Sequence, residues 1–286
     1  MQRTTEGWGS GLLGVIIFSG SLPATRVAVG DFSPLFLTSA RAVIAALLGA
    51  VFLILLRQAR PARDNIGSLA IVALGGVVGF PLLTALALQH ITAAHSIVFI
   101  GLLPLATAIF AVLRGGEKPR PAFWLFSGLG SATVAGFALY NSGGGSLVGD
   151  LMMFAAILVC GLSYAEGATL SRRLGGWQVI SWALLLSLPM MAVIALMTMP
   201  NTWSGIGVHA WLGLAYVSIF SMLVGFIFWY RGLALGGIAG VGQLQLLQPF
   251  FGLTLAGLLL HEPVAWTMIA ATAIVVLCVA GAKQIA

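Results

Sequence analysis

The sequence predicts an all-α integral membrane protein of ten transmembrane helices, arranged as an inverted five-plus-five repeat with both termini cytoplasmic. Three observations carry this. Of 286 residues 60% are apolar and only 7% charged, and they form apolar runs joined by short connections; a soluble domain has roughly a quarter of its residues charged. Basic residues occupy every second connection. A pattern of residues recurs at an offset of 145 positions.

The spans run 9–29, 33–56, 67–89, 93–113, 121–141, 149–170, 177–198, 209–231, 238–260 and 264–283, and are numbered 1 to 10 below. Each is close to the ~20 residues that cross a ~30 Å hydrocarbon core as a helix. Helix is the expected form because backbone polar groups in lipid must be satisfied within the segment. The alternation of a barrel strand is absent. Turn-like pieces such as Gly30-Asp31, Arg60-Pro61-Ala62-Arg63 and Gly115-Gly116-Glu117-Lys118-Pro119 separate the spans, and none holds a folded domain. The first run continues into the second without a small-residue cleavage site, so no removable signal peptide is expected.

Arg3, Arg57, Arg60, Arg63, Arg114, Lys118, Arg120, Arg172, Arg173, Arg231 and Lys283 fall in alternate connections or at the termini. By the positive-inside rule that end is cytoplasmic. Arg26 and Arg41 are the exceptions; both lie within spans near the outer side, and either could attract an anionic group, but snorkelling to the outer surface explains both. The net charge of +6 is spread along the chain rather than gathered on one face, so it is read as a topology signal and no nucleic-acid partner is expected. Cys160 and Cys278 lie in apolar runs, where thiols pack as small hydrophobes, and no disulfide is expected.

Adding 145 maps Leu88 onto Leu233, Ala94 onto Ala239, Leu102 onto Leu247, Pro104 onto Pro249, Ala111 onto Ala256 and Glu117 onto Glu262. Span 4 thus matches span 9, and residues 1–141 and 142–286 become two repeats of five spans each. An odd number of crossings inverts the second repeat. The charges agree: Arg114, Lys118 and Arg120 follow span 4, whereas His261 to Pro263 after span 9 contains no Lys or Arg. Inverted repeats in transporters place the binding site near the midplane, between the halves.

The chain resembles the EamA-type ten-helix members of the drug/metabolite transporter superfamily over essentially its whole length. The resemblance is carried by Ala87-Leu88-Gln89-His90-Ile91-Thr92-Ala93-Ala94, by Pro104 and Gly116-Glu117, and by the second copy at Gly232-Leu233, Pro249 and His261-Glu262-Pro263. His261 stands where a small residue is usual. The resemblance implies a multi-pass carrier of the bacterial inner membrane, exporting small metabolites and most often amino acids. It also implies a central cavity lined by spans 1, 3, 4, 6, 8 and 9. Multidrug or nucleotide-sugar movement is the alternative within the superfamily. A carrier of this size is expected to act as a monomer in lipid, without cofactor.

Polar groups inside a membrane are costly, and they mark the candidate contacts. In span 9, Gln245 and Gln248 are three apart on one face, and Pro249 is expected to free the carbonyl of Gln245 and kink the helix. The same pair serves equally well as interhelical ties. In span 4, His95 and Phe99 share a face and Pro104 releases the carbonyl of Ile100. His95 binds a carboxylate, titrates, or is structurally satisfied. In span 3, Phe80 and Thr84 form an aromatic wall suited to bulky apolar side chains, with Gly225 and Trp229 as repeat mates. Trp229 reads equally as an interfacial anchor, as do Trp8, Trp124, Trp177, Trp203, Trp211 and Trp266. Tyr164 precedes Glu166, the one acid well inside a span and thus the candidate for proton coupling, although its nearness to Arg172 and Arg173 favours an ion pair. Glu117 and Glu262 are expected to organise the turns after spans 4 and 9.

Enzyme classes find little support. His90, His95, His209 and His261 are dispersed with no Glu at metal-ligand spacing, and neither a Gly-x-Ser-x-Gly elbow nor a phosphate-binding Gly-rich Lys loop occurs. No metal site is expected.

Overall fold

The computed structural model describes residues 2–91, 96, 99–141, 146–252, 254 and 266–285, and among these every regular element is helical. Span 1 is Gln2–Ser19 and Ser21–Ala28, broken at Gly20. Span 2, Pro34–Leu55, is opened by Ser33, whose side chain accepts the Phe36 N–H at 3.2 Å, and by Pro34 in the first turn. Span 3 runs through Ile66–Val72, Ala73–Gly79 and Phe80–Ala87. The second part of span 4 is Leu103–Leu113, and span 5 is Pro121–Asn141. Spans 6 and 7 are Leu147–Leu174 and Gly176–Met197, divided by Gly175 at φ 96°, a left-handed turn that glycine adopts without strain. Span 8 is Val208–Ala215, Tyr216–Val224 and Gly225–Gly236; span 9 begins with Ile238–Gly242 and Gln243–Leu247; span 10 is Trp266–Ile285. Six of the described helices are long and apolar enough to cross a membrane, with shorter apolar helices beside them.

Helices overrun the expected spans where polar ends find partners. Span 1 starts at Gln2, and Glu6 in its second turn meets Arg231 of span 8 at 3.7 Å; span 6 continues to Leu174, and Arg172 in its last turn pairs with Glu117 at 2.7 Å.

The internal repeat extends to backbone irregularity. Ala73–Gly79 in span 3 is π-helical, and adding 145 gives residues 218–224, inside the π-helical Tyr216–Val224 of span 8. Packing follows the same rule. Span 1 packs on span 8 and span 6 on span 3, while spans 2 and 7, 4 and 9, and 5 and 10 pair with each other. Exchanging each span for its mate 145 residues away maps this set onto itself. Two groups result: spans 1, 8 and 9, and spans 3, 4 and 6.

Close approach within the first group rests on glycine. A Cβ on Gly232 would lie 2.6 Å from the Gly11 nitrogen, and one on Gly7 would lie 2.5 Å from the Gly236 nitrogen. Small residues four apart let two backbones touch, the main route to tight packing in lipid, where hydrophobic drive between helices is absent. In the second group Gly75 and Gly76 likewise bring span 3 against Val159 and Ser163 of span 6. Cys160 and Cys278 are free thiols within the packed interior.

Candidate functional site

The two groups meet around a cavity of about 40 Å³. Its wall comes from spans 1 (Phe18, Ser21), 3 (Phe80), 4 (Ile100), 6 (Tyr164), 8 (Ser221, Phe226) and 9 (Gln248), and from Arg41 of span 2. The volume holds water but falls well short of the ~300 Å³ at which ligand pockets begin. A solute of amino-acid size therefore enters only if the groups move apart.

Aromatic rings make the apolar part of the wall. Phe226 stands edge-on to Phe18 at 5.2 Å and to Tyr164 at 6.0 Å between centroids. Trp229 lies one layer behind, fully buried, 5.4 Å from Tyr164 and 6.2 Å from Phe18. It is a support for the cavity rings and not an interfacial anchor. Trp8 is buried too, with the Lys283 ammonium 4.9 Å over its ring, whereas Trp203, Trp211 and Trp266 are exposed.

The glutamines take separate roles. Gln248 borders the cavity and donates to the Phe18 carbonyl at 3.4 Å. Gln245 is fully buried behind it, donating to the Tyr164 hydroxyl at 3.3 Å while its own oxygen lacks a hydrogen-bond partner. Gln243 turns away and donates to Ser127 at 3.1 Å. The Gln245 carbonyl is not the spare acceptor expected from Pro249. Gln243–Leu247 is wound as a 3₁₀ helix, and the Gln248 N–H bonds that carbonyl instead. Pro104, likewise, occupies the first turn of Leu103–Leu113 after a turn at Gly101–Leu102, so it begins a helix segment rather than bending a continuous one.

Of the other expected contacts, Phe80 and Tyr164 reach the cavity. Thr84 is buried outside its lining, with its hydroxyl unpaired. Phe99 packs at the margin of the core. His95, Glu262 and His261 lie outside the described residues. Glu166 is not part of the cavity lining: it accepts from Ser68 at 2.5 Å and from the Arg114 guanidinium at 2.9 Å. Its ion pair is with Arg114, not with Arg172 or Arg173. The hydrogen bond and charge of Glu166 in turn hold Arg114 above the ordinary arginine range.

Arg41 departs most from expectation. Arg26 is exposed, but Arg41 is only 6% exposed and faces the cavity, where its Nη2 donates to Ser221 Oγ at 3.3 Å and its Nε has no partner. Ser221 also shares a 2.8 Å hydrogen bond with Ser21. Snorkelling fails because Arg41 sits two turns inside span 2, where spans 7 and 8 cover it. Its position there was the available signal.

At the Arg-rich end one carboxylate bridges the two groups. Glu117, following span 4, accepts the Ile238 N–H on Oε1 and the Ala239 N–H on Oε2, both at 2.8 Å, capping the first turn of span 9. The free N–H groups and positive dipole end of a helix favour such a charge. Arg172 holds the same carboxylate.

Residues 7–139 and 147–282 each match the EamA-like transporter family. A Bacillus subtilis protein called uncharacterized transporter YdeK is 65% identical over 286 residues, all of both chains. A Synechocystis protein called uncharacterized transporter sll0355 is 26% identical over 86% of this chain and 80% of its own. A solved structure titled only as a crystal structure of protein shares the fold at a TM-score of 0.81 and 20% identity, covering 98% of this chain and 97% of its own.

Proposed function

This chain belongs to the EamA-like transporter family of multi-pass membrane proteins, and from that membership we propose a secondary transporter that exports small metabolites across the bacterial inner membrane, amino acids first among them. The observation that carries the reading is the cavity between two groups of spans that the repeat exchanges, apolar and aromatic on one side and hydrogen-bonding at Gln248, Ser21 and Ser221 on the other. Such a wall accepts aromatic or bulky apolar side chains together with a polar head.

On this reading residues 1–141 and 142–286 are inverted repeats, and the cavity opens alternately to each face as the groups rock. The protein acts as a monomer in lipid, without nucleic acid, cofactor or catalytic chemistry of its own.

Counterflow of radiolabelled amino acids in proteoliposomes of the purified protein tests the proposal. Saturable exchange of leucine, phenylalanine or a similar apolar amino acid is expected. Absence of exchange across the full panel contradicts it.

A further inference from the structure

Among the described residues Arg41 has no counter-charge. Arg114 with Glu166, Arg172 with Glu117 and Arg231 with Glu6 form ion pairs at the other end of the spans from it, and Arg41 enters none of them. Its hydrogen bond to Ser221 engages one of the five guanidinium donors, and Nε points to no acceptor. An ion buried without a partner costs several kcal/mol even after relaxation, and more where lipid surrounds the protein. That cost is offset when an anion enters.

We infer that Arg41 is the anion-recognition residue of the cavity, and that its ligand is a carboxylate attached to an apolar body. This deepens the transport reading and rests on it. The guanidinium presents a planar fork that matches the two oxygens of a carboxylate. Ser221 is held against Ser21 and fixes one edge of that fork. Phe18, Phe80 and Phe226 face the same space and receive the apolar part. No carboxylate of the described residues borders the cavity to receive an ammonium group. The amine of an amino acid is then left to neutral acceptors such as Gln248, and an acid lacking the amine binds at least as well.

The test is ligand stabilisation of the detergent-purified full chain against thermal unfolding, with 3-phenylpropionate, its neutral amide 3-phenylpropanamide, and inorganic phosphate as probes. The expected result is stabilisation by 3-phenylpropionate and little by the amide. In Arg41→Gln the apparent affinity for the acid falls about a hundredfold, and in Arg41→Lys, which keeps the charge and loses the fork, about tenfold. The acid-against-amide comparison uses the unaltered protein, so it holds whether or not either variant folds. Equal stabilisation by acid and amide, no stabilisation by either, or stabilisation by phosphate alone overturns the inference. Stabilisation by the acid in a protein that exchanges no amino acid sustains Arg41 and sinks only the amino-acid reading.

Discussion

Glu117 and Ile238, 121 residues apart in sequence, are joined by a 2.8 Å hydrogen bond from the Ile238 backbone N–H to the Glu117 carboxylate. The bond ties the end of span 4 to the start of span 9, and so one group of spans to the other. Other cross-group bonds lie deeper: Gln245 to the Tyr164 hydroxyl at 3.3 Å, and Ser163 with the Tyr230 hydroxyl at 3.3 Å. The ion pairs Arg114 with Glu166 and Glu6 with Arg231 each stay within one group. Glu117 is therefore the charged latch of the Arg-rich end.

Glu117→Gln keeps the shape and removes the charge that caps span 9 and pairs with Arg172. Loss of such a cap is worth about 1–2 kcal/mol, or about tenfold in an opening equilibrium. Thr107, fully buried on span 4 facing Gly242 of span 9, reports that opening. A cysteine at Thr107 reacts with an impermeant maleimide about tenfold faster when Glu117 is changed. An unchanged labelling rate refutes the latch.

Glu166 joins spans 3, 4 and 6 through Ser68 and Arg114, and a structural rather than a proton-carrying role is the expectation. Because Arg114 is half exposed, Glu166→Gln costs about 1 kcal/mol, or about 2 °C in a protein this large. Transport measured with and without a pH gradient keeps the same ratio in the variant as in the unaltered protein. Loss of gradient dependence on this substitution alone assigns Glu166 to coupling instead.

The span 1 to span 8 contact has no room for a methyl group. Gly232→Ala brings Cβ to 2.6 Å from the Gly11 nitrogen, and backbone cannot yield as a flexible side chain does. A loss of about 1–3 kcal/mol in thermal stability is expected, as for other overpacked sites. Gly9, with nothing within 4 Å, is the control, and Gly9→Ala leaves the melting temperature unchanged or raises it. Equal effects at the two positions remove the packing explanation.

The sequence exposed those features that follow from composition, charge and repetition. Low charge and apolar run length sufficed for the spans, and Pro104 with Pro249 and Glu117 with Glu262 sufficed for the offset. Side-chain neighbours between distant spans were another matter. Span 6 faces spans 3, 4, 7, 8 and 9 at once. Helical phase alone does not say that Glu166 finds Arg114, or that Trp229 backs the cavity instead of bordering lipid. Arg41 was misjudged because snorkelling depends on what covers the residue, and spans 7 and 8 arrive from the other repeat. Nor was the freed carbonyl of Gln245 predictable from Pro249, since a 3₁₀ segment uses it locally.

Motion between the two groups is the central claim, and a cross-link across them tests it most directly. A Cβ on Gly242 lies 3.8 Å from the Thr107 Cβ, the separation of a disulfide. In proteoliposomes carrying Thr107→Cys with Gly242→Cys, solute counterflow is expected to stop on oxidation and return on reduction, while the unaltered protein, with Cys160 and Cys278 buried, ignores both treatments. Counterflow that continues at full rate with the cross-link complete contradicts alternating access through this cavity.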